Sequence, residues 1–208
     1  MTKPILYGAD NSVYVRIARM ALEEKGIDYE LVPLDIFAAE GIPAWYLEHH
    51  PFGRIPAFEH DGFRLFETNA ITRYVDEAFD GPALQPADTR GRARMGQMTG
   101  MLDAYGYRAM VWDVAVERLE KPEPDETLIA SGLSQAQTVL RVLTSLKAPG
   151  PWLLGDHVTL ADLHAAPIIA YFLKVADGQK LLAEFPEIQA WWDRIAARQA
   201  FAMTEKAD

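Results

Sequence analysis

Residues 50–76 read HPFGRIPAFEHDGFRLFETNAITRYVD, and their pattern decides the fold. Two short apolar runs, Ile55 to Phe58 and Phe63 to Phe66, flank a tight turn at His60-Asp61-Gly62. Asp-Gly between apolar runs predicts a β-hairpin, because glycine takes the positive φ that such turns need. Pro56 falls where the arriving chain becomes the first strand. Its missing N–H leaves an edge there that another chain can pair with. A helix is expected from Glu67 to Phe79. Its first turn, Glu67-Thr68-Asn69, puts polar groups where unbonded N–H groups and the helix dipole favour an anion. An extended, peptide-like ligand would find main-chain bonds at Ile55 and an anion site at residues 67 and 68.

Upstream, Ile5 to Tyr7 is a short apolar strand, ended by Gly8 and the polar turn Ala9-Asp10-Asn11-Ser12. From Val13 to Lys25 the residues Val15, Ala18, Ala21 and Leu22 recur at helical spacing, and Gly26 stops the helix. Tyr29 to Leu34 reads as a second strand, parallel to the first through a right-handed crossover. Residues 35–50, with Pro43, Trp45, Tyr46 and the His49-His50 pair, suggest a short irregular helix. The order is therefore β-α-β followed by β-β-α, an α/β domain over residues 1–80.

Residues 81–87 are dense in turn formers and read as a linker. Residues 88–208 show no convincing strand and are expected to form an all-helical domain. Two long helices are predicted over 88–118 and 127–147. Another starts at a capping box in which Thr159 and Asp162 cap each other's main-chain N–H groups, stapled by Val158 and Leu163. A last helix, Pro186 to Arg198, carries an apolar stripe of Ile188, Trp191, Trp192 and Ile195.

Composition removes several classes of function. The 208 residues carry a net charge of −10 with no basic cluster, which argues against nucleic acid. With no cysteine, disulfides, thiolate metal sites and a cysteine nucleophile are excluded. The five histidines form no metal-ligand pattern, and no glycine-rich phosphate loop is present. The N-terminal MTKPILYGAD lacks the apolar core of a signal peptide, and no run of ~18 uncharged apolar residues could span a membrane, so the cytosol is expected.

Pro51-Phe52-Gly53-Arg54-Ile55-Pro56 followed by Glu67-Thr68-Asn69-Ala70-Ile71 resembles the glutathione-binding half of the cytosolic glutathione transferases. The strand and helix order is similar to that family's thioredoxin-like domain. Leu6-Tyr7-Gly8 through Ser12, then Arg16, Leu22, Glu24 and Lys25, is similar to the serine-type, phi-like branch found in bacteria and plants. The resemblance implies a cis bond at Ile55-Pro56, glutathione as co-substrate with no other cofactor, conjugation to an apolar electrophile, a role in detoxification, and a homodimer. Exposed aromatics such as Phe52 or Trp45 would serve its interface.

Each site residue has a structural and a functional reading. Ser12, just ahead of a helix, is an ordinary N-cap. The resemblance makes it the group that donates a hydrogen bond to the glutathione thiol and favours the thiolate, the form that is the nucleophile. Tyr7, at the end of the first strand, is the second choice. Glu67 would meet the γ-glutamyl ammonium, and Thr68 with the helix N-terminus the neighbouring carboxylate. The family more often has serine at position 68. Ile55 would pair its main chain with the cysteinyl part, behind the cis-proline Pro56. Arg54 reads equally as a surface cation or as a contact for the glycyl carboxylate. Tyr105, Trp112 and Phe172 are candidates for a second-substrate pocket in the helical domain, although aromatics at helical spacing are more often core. Two rivals stand beside the transferase: a glutathione-dependent dehalogenase or ether-cleaving enzyme using the same serine, and a non-catalytic binding or assembly module. A module would not need Ser12, Pro56 and the Glu67-Thr68 pair together.

Overall fold

Side chains alternate along a strand, so the neighbours Leu6 and Tyr7 on β1 (Ile5–Tyr7) begin two different cores. β1 pairs in parallel with β2 (Glu30–Val32) and antiparallel with β3 (Ala57–His60), which pairs in turn with β4 (Phe63–Phe66). The sheet order is β2-β1-β3-β4. Leu6 lies opposite Phe58, and both are fully buried on one face. Tyr7 lies opposite Ala57 on the other, where Leu34 and Tyr46 join them.

Two helices follow the sequence closely: α1 (Val13–Glu24) and α2 (Thr68–Ala78). They pack on one another, and Tyr74 of α2 meets Phe58 edge-on at 5.8 Å. The hairpin turn has φ of 49° at Asp61 and 79° at Gly62, the two positive values that match the twist of the strands. Ala44–Glu48 forms the short irregular helix, a 3-10 turn. Strand β3 differs from expectation. It begins at Ala57 rather than Ile55, because Pro56 has no N–H for the ladder, and it is an internal strand between β1 and β4. Only the residues just ahead of it stand outside the ladder. The Ile55-Pro56 bond is cis.

This computed structural model describes residues 2–205. It divides into two compact units, one running to Ala83 and taking in the chain from Gln199 onward, the other spanning Leu84–Arg198. In the second unit α3 (Thr89–Met101) continues without a break through Leu102–Gly106 and Arg108–Val116 into α4 (Glu117–Glu120). The expected long helix is there, but its hydrogen bonding widens: Tyr107 N–H reaches Leu102 O and Glu117 N–H reaches Trp112 O, five residues back. Against this rod lies α5 (Glu126–Leu146), so close that a Cβ at Gly132 would fall 3.1 Å from the Ala109 carbonyl.

The unit closes with α6 (Leu160–Phe172), α7 (Ala176–Ala183) and α8 (Pro186–Ala196); α7 has no counterpart in the sequence reading. The capping box at Thr159 and Asp162 forms, and the buried Asp162 carboxylate also accepts from Leu153 N–H and Trp191 Nε1–H, both at 2.8 Å. It thereby ties α6 to α8. The boundary at residue 208 needs correcting. The final helix α9 (Gln199–Thr204) belongs with the N-terminal unit, packed on α1. Arg16 stacks on Phe201, and Arg19 donates to the carbonyls of Met203 and Thr204, which receive a cation at the negative end of the helix. No helix among the described residues is long and apolar enough to cross a membrane.

Candidate active site

Ser12 is the N-cap of α1, with extended backbone (φ −69°, ψ 131°), and its Oγ accepts from Val15 N–H at 3.5 Å. The expected capping role is therefore present. It does not compete with the functional one: the cap uses a lone pair on Oγ and leaves the hydroxyl proton to be donated elsewhere. Ser12 is half-buried, at the positive end of the α1 dipole.

Gly8 explains how Ile55 reaches this helix end. A Cβ at Gly8 would lie 2.4 Å from Val15 Cγ2 and 3.3 Å from Ile55 Cβ, so only glycine lets the first turn of α1 and the segment ahead of β3 close on each other. That segment is held from below by Tyr46, fully buried, whose hydroxyl donates to the Arg54 carbonyl at 2.7 Å. Burial raises the Tyr46 pKa, which keeps the proton in place. The sequence reading missed this support of the candidate site by Tyr46. The Arg54 side chain stands exposed.

Glu67 caps α2 with φ 71° and ψ 113°, a conformation that only glycine adopts cheaply. Its carbonyl accepts from Ala70 and Ile71, so the next N–H groups, at Thr68 and Asn69, head the helix. The Glu67 carboxylate is exposed and Thr68 is buried. His50, also missed, joins these two arms. The residue is 3% exposed, its ring lies 4.9 Å from that of Phe66, the residue before Glu67, and its carbonyl accepts from the N–H of Gly53, the residue before Arg54. Burial lowers the His50 pKa, opposed by the charge of Glu67 and assisted by that of Arg54.

Residues 3–77 match the glutathione S-transferase N-terminal domain, and residues 107–199 the glutathione S-transferase C-terminal domain. The chain belongs to the glutathione S-transferase family. Glutathione S-transferase F13 of Arabidopsis thaliana is 30% identical over 202 residues, 94% of this chain and 92% of that one. Glutathione S-transferase 3 of Zea mays is 32% identical, covering 97% and 93%. The crystal structure of glutathione transferase F7 from Populus trichocarpa superposes with a TM-score of 0.84 at 32% identity, over 97% of each chain.

In this glutathione S-transferase Tyr7 is core. Its ring lies 4.6 Å from that of His49 and 6.0 Å from that of Trp45, in the cluster with Tyr46. Burial and then the charge of Glu59 raise its pKa, which makes it a poorer hydrogen-bond donor to a thiolate. The three aromatics expected to line a second-substrate pocket differ in exposure: Phe172 is buried, while Tyr105 and Trp112 are exposed. Phe172 is fully buried because the face of α6 that carries it points into the helical core, where a Cβ at Gly178 would come within 3.1 Å of its ring. Tyr105 lines an open groove of ≈ 580 Å³ with Met101, Val139 and Val142, and Trp112 is not part of that lining. Among the described residues no group of His, Asp and Glu is placed to hold a metal ion.

Proposed function

We propose that this glutathione S-transferase family member is a serine-type glutathione transferase in which Ser12 stabilises the thiolate of bound glutathione for attack on an apolar electrophile. Residues 1–80 hold glutathione: Ile55 through its main chain behind Pro56, Glu67 on the γ-glutamyl ammonium, Thr68 and the α2 N-terminus on the adjoining carboxylate, and Arg54 on the glycyl carboxylate. The helical unit supplies contacts to the electrophile. The protein works as a homodimer in the cytosol; Phe52, 72% exposed, is an apolar side chain such an interface would cover.

The observation that carries the reading is Ser12 at the α1 N-cap, its proton available and Ile55 brought against the same helix end through Gly8. A hydrogen bond to a charged acceptor contributes about 1.5–3 kcal/mol and a helix N-terminus about 0.3–1 kcal/mol. At about 1.4 kcal/mol per pKa unit, the two together lower a thiol from about 8.5 to roughly 6–7. The thiolate sulfur then forms a C–S bond, and the leaving group departs with its electron pair. The test is steady-state conjugation of glutathione to an aromatic halide by wild type and Ser12→Ala. Loss of kcat with glutathione affinity kept supports the assignment. A wild-type protein that binds no glutathione refutes it.

A further inference from the structure

The support that Tyr46 gives the site depends on the 3-10 segment Ala44–Glu48, and His49, the next residue, fastens that segment to the sheet. The His49 side chain is 10% exposed; its ring lies 4.6 Å from that of Tyr7 on β1 and stacks almost parallel to that of Tyr46 at 6.3 Å. Its Nδ1 is 3.3 Å from the Trp45 carbonyl oxygen, and its Nε2 is 3.3 Å from Glu59 Oε2 on β3. Both oxygens can only accept. A neutral imidazole has a single N–H, so it serves one of them and turns a lone pair on the other, whereas the imidazolium serves both. Glu59 Oε2 also accepts from Arg64 Nε on β4 at 2.9 Å, and Arg64 Nη1 lies 3.9 Å from Glu48 Oε2. With two carboxylates to one guanidinium, a cation at His49 makes the cluster neutral. The remaining titratable groups on this face are the Tyr7 phenol, kept protonated by burial and by the charge of Glu59, and Glu30 of β2, whose charge acts on that phenol.

We propose that His49 is a positioning residue of the glutathione site: as the imidazolium it pins the Ala44–Glu48 segment to the sheet, and loss of that proton weakens glutathione binding. The proposal rests on the glutathione reading above. From the pinned segment the Tyr46 hydroxyl donates to the Arg54 carbonyl at 2.7 Å, one residue ahead of the Ile55 main chain that pairs with the tripeptide. Deprotonation leaves a lone pair facing either Trp45 O or Glu59 Oε2, and that contact turns from attractive to repulsive. The segment then has one tie fewer, and the hold of Tyr46 on residues 54 and 55 loosens with it. The coupling is reciprocal. A ligand that needs residues 54 and 55 in place favours the imidazolium, so binding takes up protons and is tighter on the acid side.

S-methylglutathione is the probe, since it has no thiol and its carboxylates and ammonium keep their charges from about pH 5.5 to 8. In calorimetric titration the wild-type affinity should fall about threefold over that range, with net proton uptake on binding, counted from two buffers of different ionisation enthalpy. His49→Gln, neutral at every pH, should bind at the weaker level throughout. In the unmodified chain, imidazole nitrogen NMR reads the ring directly. Both His49 nitrogens should carry protons at the acid end, and one should release its proton at a higher pH with S-methylglutathione bound than without it. An affinity slope equal in wild type and His49→Gln, or a ring that titrates alike with and without ligand, overturns the role of His49 and leaves the glutathione site standing. Absence of S-methylglutathione binding by wild type overturns both.

Discussion

Replacing Glu67 by glycine should make the protein more stable and a worse binder of glutathione at the same time. Glu67 is held at φ 71° and ψ 113°. A non-glycine residue in so sparsely populated a region costs about 1–3 kcal/mol, and removing the Cβ relieves most of that. Glycine loses about 0.5–1 kcal/mol more conformational freedom on folding, so the net gain is about 0.5–2 kcal/mol. The lost carboxylate takes with it a charge-assisted bond to the γ-glutamyl ammonium of about 1.5–3 kcal/mol, which is about 10- to 150-fold in affinity. Urea unfolding followed by tryptophan fluorescence reads the first quantity and calorimetric titration with glutathione the second. Glu67→Gln separates them: it keeps the strained backbone, so it should lose affinity with no gain in stability. A glycine variant less stable than wild type, or one that binds glutathione as tightly, would refute the claim that the strain is maintained to aim that carboxylate.

Three further outcomes follow from named contacts. Lys25, 7% exposed, donates to the carbonyls of Asp76 and Pro82 and meets the Asp76 carboxylate at 3.3 Å; Lys25→Met should cost about 3–5 kcal/mol in urea unfolding, and Lys25→Met with Asp76→Asn clearly less. Tyr46→Phe removes the 2.7 Å bond to the Arg54 carbonyl, worth about 1 kcal/mol, and should raise KM for glutathione about fivefold with kcat kept in steady-state kinetics. His50 has its pKa lowered in the fold, so below its ordinary value near 6.5 the unfolded chain takes up the proton first. Stability should therefore fall as pH drops from about 6.5, and the urea midpoint of His50→Asn should fall less steeply over the same range.

The elements easiest to read from sequence were those with local causes. Asp61-Gly62 announces its turn because two consecutive positive φ values need small or turn-forming residues, and Ser12 and Thr159 announce their helices because a cap is chosen by the N–H groups next to it. The candidate site residues Ile55, Pro56 and Thr68 could be named from sequence for the same reason, being tied to a hairpin and a helix start. Contacts between residues distant in sequence left no such mark. Tyr46 reads as one more aromatic until its hydroxyl is seen under Arg54, and His50 reads as a spare histidine until Phe66 closes over it. Nothing in a glutamate signals positive φ, so the strain at Glu67 was invisible. Phe172 was misread because an aromatic at helical spacing looks alike whether it lines a pocket or fills a core. The return of α9 to α1 depends on Arg16 and Arg19 finding carbonyls some 185 residues away.

The central claim is that Ser12 holds glutathione as its thiolate. The ultraviolet difference spectrum of bound glutathione measures this directly, titrated with pH in wild type, Tyr7→Phe and Ser12→Ala. The account predicts a thiolate midpoint of roughly 6–7 in wild type and Tyr7→Phe, and one raised by about one to two units in Ser12→Ala with glutathione still bound. An unshifted midpoint in Ser12→Ala, or loss of the thiolate in Tyr7→Phe, would contradict it.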